Sequence, residues 1–124
     1  MKSSAYPALL YSARVLAMLW AAFWTWFGLA SGIAEGLSPA GVLVHTAVPG
    51  LFFVLLLVVA WRWEALGGIL LVLASLFMAV AYPLVFRRMP LSTTIFVLLT
   101  MAVPPLLAGI LFLAHWWLNR VKLA

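Results

Sequence analysis

The chain has 124 residues, of which 69% are apolar, with seven Lys or Arg, two Glu, no cysteine and a net charge of +5. Soluble domains carry about a quarter charged residues, and a soluble fold of this size leaves much of its surface exposed to water. The composition therefore excludes an ordinary soluble enzyme. It also excludes a disordered chain, which needs low hydrophobicity and many charges. The absence of cysteine excludes a thiol nucleophile, a disulfide framework and a thiolate metal site.

Four apolar runs, each separated from the next by a short turn, cover about residues 9–34, 40–61, 65–86 and 93–118. A helix that crosses a bilayer needs about 20 such residues. The sequence therefore predicts an all-α membrane protein: a single domain over 1–124 that forms a four-helix antiparallel up-down bundle with short loops. A signal peptide is the alternative for the first run, but the run is long for the apolar part of such a peptide.

Basic residues flank these runs unevenly. The side that holds both termini and the second loop has five Lys or Arg, against two on the other side: Lys2, Arg14, Arg62, Arg120 and Lys122 against Arg87 and Arg88. The positive-inside rule then predicts that both termini lie in the cytoplasm. We expect a multi-pass protein of a bacterial plasma (inner) membrane. Because such residues meet lipid headgroups, the charge indicates the bilayer as partner and not nucleic acid.

Small residues recur on one face of the first run at steps of three or four: Ala13, Ala17, Ala21, Thr25, Gly28, Gly32 and Gly36. In lipid, small residues let helix backbones approach closely. Two roles stay open for this small-residue stripe: packing inside the bundle, or docking on another subunit or on a second copy. Gly67 and Gly68 follow the second loop, and we expect them to let the second and third spans approach closely.

Residues typical of the membrane–water interface gather at the second loop and at the end of the last run. They are Trp61, Arg62, Trp63, Glu64, Trp116 and Trp117. We expect Glu64 to pair with Arg62 or to cap the third helix. Trp20 and Trp24 differ, since they lie near the middle of the first run. There they predict either aromatic packing between helices or a surface on which an apolar cofactor stacks.

His45 and His115 are the two imidazoles. Pro49 cannot donate a hydrogen bond to the carbonyl of His45, and a polar group inside a span is a functional candidate. His45 is therefore a candidate ligand for a haem iron or a pigment magnesium, with an interfacial hydrogen-bonding histidine as the alternative. The two histidines differ by about 22 Å in depth at the helical rise, so one metal ion cannot bind both.

Groups for catalysis are missing from the pattern. No carboxylate lies at the middle of a run, and no carboxylate pair, Ser-His-Asp set or phosphate loop is present. Small multidrug exporters of similar length need a glutamate within the first helix, which this chain lacks. The sequence therefore predicts a protein that is not an enzyme and not a proton-coupled exporter.

Several stretches carry a family resemblance: 13–17, 45 with 49, 60–64 with 67–70, and 104 with 109–112 and 116. The most specific is the hairpin pattern Trp-x-Trp-Glu-x-x-Gly-Gly from Trp61 to Gly68. On these residues the chain resembles a family of small bacterial and archaeal membrane proteins that is known only as a domain of unknown function. The resemblance implies four membrane helices and no activity. Pro83 and Arg87-Arg88 depart from it in the third loop.

Three functions remain as hypotheses from the sequence. The first is an accessory or scaffold subunit that docks on a larger membrane complex, with the small-residue stripe as its motive. The second is a small-molecule or lipid carrier that acts as a homo-oligomer, with proline bends forming its cavity. The third is a pigment- or haem-binding protein that uses His45.

Overall fold

The computed structural model describes residues 5–123, without the side chains of Pro49 and Leu123, and this part of the chain is helical with no strand. The helices are α1 (Pro7–Ala34), α2 (Pro39–Arg62), α3 (Glu64–Val85), α4 (Leu91–Val97) and α5 (Val103–Leu123). A π-helical turn, Leu98–Ala102, joins α4 to α5 without a break.

Three helices are long and apolar enough to cross a membrane: Pro7–Ala34, Glu64–Val85 and the continuous Leu91–Lys122. The two halves of α2, Pro39–Val48 and Gly50–Arg62, pass the same test together, as a broken span or a re-entrant loop. By length and composition the described chain therefore has three or four spans, which is the pattern of a multi-pass membrane protein.

The bend in α2 measures 42° and lies at Val48, whose φ of −118° and ψ of 110° are not helical. Pro49 explains both facts. A proline ring clashes with the preceding residue in the α conformation, and proline has no N–H for the carbonyl four residues earlier. Pro49 thus accounts for the place of the bend.

Neighbouring helices pack in a closed order: α1 on α2, α2 on α3, α3 on α5, and α5 back on α1. The contact between α2 and α3 is the smallest of the four. The interior holds large apolar side chains from every long helix, among them Trp20, Phe53, Leu71 and Phe112, each 3% exposed or less.

The part of the small-residue stripe that lies on α1, from Ala13 to Gly32, is inside the molecule, whereas Gly36 follows the helix and is exposed. Ala13, Ala17 and Ala21 are at most 2% exposed. A Cβ atom on Gly28 would stand 2.9 Å from the carbonyl oxygen of His45 on α2, and one on Gly32 would stand 3.3 Å from the imidazole of the same residue. This part of the stripe is therefore an internal contact of this chain, mainly with α2, and it is not available for docking another subunit.

The two glycines of α3 serve different contacts. A Cβ atom on Gly67 would clash with the Cα of Ala60, so α2 and α3 touch backbone to backbone there. Gly68 instead faces α5, where its added Cβ would lie 3.1 Å from the carbonyl oxygen of Gly109. The expectation that both glycines face α2 is wrong for Gly68, because successive helical residues point about 100° apart.

Replacing Gly67 by Ala tests the contact between Gly67 and Ala60, because the contact reverses the sign of the expected change in stability. In a helix without a clash, Gly→Ala stabilises by about 0.5–1 kcal/mol. Here we expect the free energy of unfolding to fall by about 1–3 kcal/mol, because the new methyl meets the backbone of α2. Unfolding in mixed detergent micelles measures the change, and a stabilised variant would contradict the contact.

Candidate functional site

Two buried indoles of α1 bind the backbone of the last span. Trp24 Nε1 donates to the carbonyl of Thr100 at 2.9 Å, and Trp20 Nε1 donates to the carbonyl of Met101 at 3.0 Å. In an α-helix these two carbonyls would accept from residues 104 and 105, which are both proline and have no N–H. The indoles therefore replace the two hydrogen bonds that the proline pair removes.

The spacing of the residues explains this fit. The two tryptophans are four residues apart on one helix face, and the two carbonyls lie next to each other at the π-helical turn. The hydroxyl of Thr100 donates to the carbonyl of Phe96 at 2.8 Å, so the gap before Pro104 is filled from α1 and not by this threonine. Trp20 also stacks on Phe53, with 4.0 Å between ring centroids. Phe53 thus covers one face of the Trp20 indole, and Trp20 also lines a small apolar pocket of about 220 Å³ together with Thr100 and Pro104.

At one end of the molecule, Glu64 pairs with a buried histidine. Nδ1 of His115, on α5, donates to Oε1 of Glu64, the first residue of α3. His115 is 3% exposed. Of the two roles expected for Glu64, pairing with Arg62 is not found, because the first turn of α3 faces α5 and the Arg62 guanidinium lies by the Trp63 ring instead. Capping is not found either, since α3 begins with Glu64 and no side chain caps its start. Its position in the first turn also favours this carboxylate through the helix dipole.

Arginines at the same end lie over tryptophan rings. The guanidinium of Arg14 is 4.5 Å from the ring centroid of Trp61, and that of Arg120 is 4.8 Å from that of Trp116. The amide of Ala5 donates to Asn119 Oδ1 at 2.8 Å. The start of α1, the α2–α3 turn and the end of α5 thus meet at one end, which we call the aromatic end.

The other candidate histidine lies at the opposite end. His45 Nε2 is 2.9 Å from the hydroxyl of Ser31, near the end of α1. Binding of a haem iron or a pigment magnesium through Nε2 would break this contact. Within residues 5–123, no three side chains of the metal-binding types come together. In this structure the contact between His45 and Ser31 links α2 to α1.

Sequence reasoning missed a cleft between α2 and α3. It has a volume of about 590 Å³ and is lined by apolar side chains, namely Phe52, Phe53, Leu56, Leu70, Leu73, Ala74, Phe77, Met78 and Met101. Phe53 and Leu56 form its buried floor, whereas Phe52, Leu73 and Phe77 are more than half exposed at its mouth. The cleft begins beyond the close Gly67–Ala60 contact. Its residues look like ordinary lipid-facing positions in the sequence. The nearest signal of a cleft in the sequence was Pro49, which predicts a bend in α2.

Removing one indole N–H tests whether the indoles replace the hydrogen bonds that Pro104 and Pro105 remove. We expect Trp24→Phe to lower the free energy of unfolding by about 1–3 kcal/mol, because the carbonyl of Thr100 loses its donor. Pro104→Ala restores a backbone N–H for that carbonyl, so Trp24→Phe should cost less in this background. Trp26→Phe, at an exposed site on α1, is the matched control. Equal costs with and without Pro104→Ala would contradict the replacement.

Comparison with known proteins identifies a family whose function is unknown. No curated protein and no solved structure matches the chain significantly. The family model of a domain of unknown function, DUF7670, matches residues 1–124, and the chain belongs to that family.

Proposed function

We propose that this protein is a non-enzymatic membrane protein that holds an apolar, chain-like ligand in the cleft between α2 and α3. The cleft carries this proposal. Its volume of about 590 Å³ lies within the range of about 300–1,000 Å³ that is usual for ligand sites. The cleft favours the carrier hypothesis. The accessory-subunit hypothesis loses support, since the small-residue stripe that was expected to dock on another subunit is buried.

The lining of the cleft defines the class of ligand. All nine side chains are apolar and none is charged, so a ligand is held by burial and dispersion contacts and not by hydrogen bonds. Phe53 and Phe77 provide flat faces at the floor and at the mouth. An acyl or isoprenoid chain fits this chemistry. With the mouth on the outer surface, such a ligand enters sideways from the bilayer.

We further propose how the chain sits in the membrane. Four spans arranged as an antiparallel bundle explain why the start of α1, the α2–α3 turn and the end of α5 meet at the aromatic end. Arg14, Arg62 and Arg120 lie there, while Arg87 and Arg88 follow α3 at the other end. The positive-inside rule supports a cytoplasmic aromatic end; Lys2, also counted there, lies outside the described residues. Because the chain has no cysteine, labelling of a single cysteine at Ser38 checks this: it should react only from the periplasmic side.

Filling the cleft tests the proposed function. We expect protein purified in mild detergent to carry an apolar ligand that organic extraction and mass spectrometry detect. Ala74→Phe places a ring among the lining residues and should remove at least about nine-tenths of that ligand, because overpacking leaves no room for it. Ala22→Phe, at an exposed site on α1, makes the same change away from the cleft and should retain the ligand.

One outcome of the same extraction would contradict the proposal. Wild-type protein that carries only the bulk lipids of its membrane, in the same amounts as Ala74→Phe, would show that the cleft is ordinary lipid-facing surface. Melting temperature in detergent monitors the fold of both variants, so a loss of ligand through unfolding is recognised.

A second candidate, the accessory subunit, rests on a different surface. Phe23, Trp26 and Phe27 form a ring cluster on the outside of α1, where Trp26 is 61% exposed. An exposed mid-helix tryptophan is unusual, since tryptophan concentrates at the interfaces, and tryptophan is enriched among the residues that contribute most to binding between proteins. Native electrophoresis of source membranes tests this candidate: Trp26→Ala should release the protein from a larger assembly, and migration of the wild type at its own small mass would contradict it.

A further inference from the structure

We propose that Arg14 heads a second site, which binds an anionic phospholipid in a groove between α1 and α2. The cleft proposed above lies between α2 and α3, so the two sites are separate. The inference depends on three observations: the unpaired charge of Arg14, the apolar groove next to it, and the position of Arg14 along the length of the helices.

Arg14 carries a charge that the described chain does not neutralise. Within residues 5–123, no carboxylate contacts Arg14, and the Glu64 carboxylate contacts Nδ1 of His115 instead. The chain's other glutamate, Glu35, lies at the far end of α1. The guanidinium of Arg14 contacts the face of Trp61, and its Nε is buried with no hydrogen-bond partner. An arginine in this state lacks an anion, because a buried donor without an acceptor costs free energy.

An apolar groove lies beside the Trp61 ring that the Arg14 guanidinium contacts. It has a volume of about 380 Å³ and is lined by Met18, Leu57, Val58 and Trp61. Trp61 belongs both to the groove and to the Arg14 contact. Met18 lies one turn beyond Arg14 along α1, and Leu57 lies one turn before Trp61 along α2. Both steps lead away from the aromatic end, so the groove runs from the charge into the apolar body of the molecule.

The level of Arg14 matches that of a lipid headgroup. Trp61, Trp63 and Trp116 lie at the same end, and tryptophan concentrates where the hydrocarbon meets the headgroups. A guanidinium binds a phosphate through two parallel N–H donors. A phosphate diester at Arg14 with its acyl chain in the groove would fill both parts. A free phosphate would leave the groove unfilled, which is why the geometry favours a lipid.

Purified protein in neutral detergent tests the site with three probes: phosphatidylglycerol, phosphatidylcholine and soluble glycerol 3-phosphate. Native mass spectrometry and melting temperature report binding. We expect phosphatidylglycerol to bind and to raise the melting temperature, and the other two probes to do neither. Arg14→Gln should weaken phosphatidylglycerol binding at least about tenfold, because the charged partner of the phosphate is lost.

Two variants separate this site from other causes. Val58→Trp fills the groove but keeps Arg14, and it should also lose the response, which keeps the test informative if Arg14→Gln folds poorly. Arg88→Gln removes a charge at the opposite end and should respond as the wild type does. Ala74→Phe should also respond normally, so failure of the α2–α3 cleft and failure of this site are distinguishable.

Three results would overturn the inference. Equal responses of the wild type, Arg14→Gln and Val58→Trp would show that the lipid binds elsewhere. An equal response to phosphatidylcholine would remove the role of lipid charge. A full response to glycerol 3-phosphate alone would assign Arg14 to a free phosphate ester and not to a lipid.

Discussion

The packing of α1 on the last span depends on two hydrogen bonds between its indoles and the carbonyls freed by Pro104 and Pro105. The hydrocarbon core of a bilayer has no water to satisfy such carbonyls. Trp20 and Trp24 supply the missing donors from the neighbouring helix. The bonds therefore fix the register of α1 against the π-helical turn and keep Leu91–Lys122 continuous.

Pro49 shows what happens without an indole. Within the part of the chain that the structure describes, no tryptophan donates to the carbonyl of His45, which instead faces Gly28, and α2 bends by 42°. One half of α2 then packs on the glycines of α1, whereas the other half reaches α3 closely at Gly67. Between the bend and that contact, α2 and α3 are apart and the apolar cleft remains. Proline thus removes backbone hydrogen bonds in two helices. In the last span the freed carbonyls bind α1, whereas α2 bends and a cleft lies beside it.

Charged groups follow a second constraint, which is the shortage of anions in the chain. Only two glutamates are available, and the one at the aromatic end is held by His115. The arginines there lie over tryptophan rings, which offer a cation a favourable partner without a counter-charge. This leaves the guanidinium of Arg14 ready for an external anion, and the bilayer is where anionic headgroups are supplied.

The sequence by itself determined the helical class and the presence of three or four apolar segments long enough to cross a membrane, and the chemistry of Pro49 accounts for the bend in α2, because apolar length and proline chemistry act locally. It also placed Trp61, Trp63 and Trp116 at one end. Only the tertiary structure decided which groups meet. The partner of Glu64 is 51 residues away in the chain, Gly68 faces α5 and not α2, and the mid-span indoles bind carbonyls of another helix. These choices depend on how the helices rotate about their axes, and in a chain that is apolar on nearly every face the residue pattern does not specify that rotation.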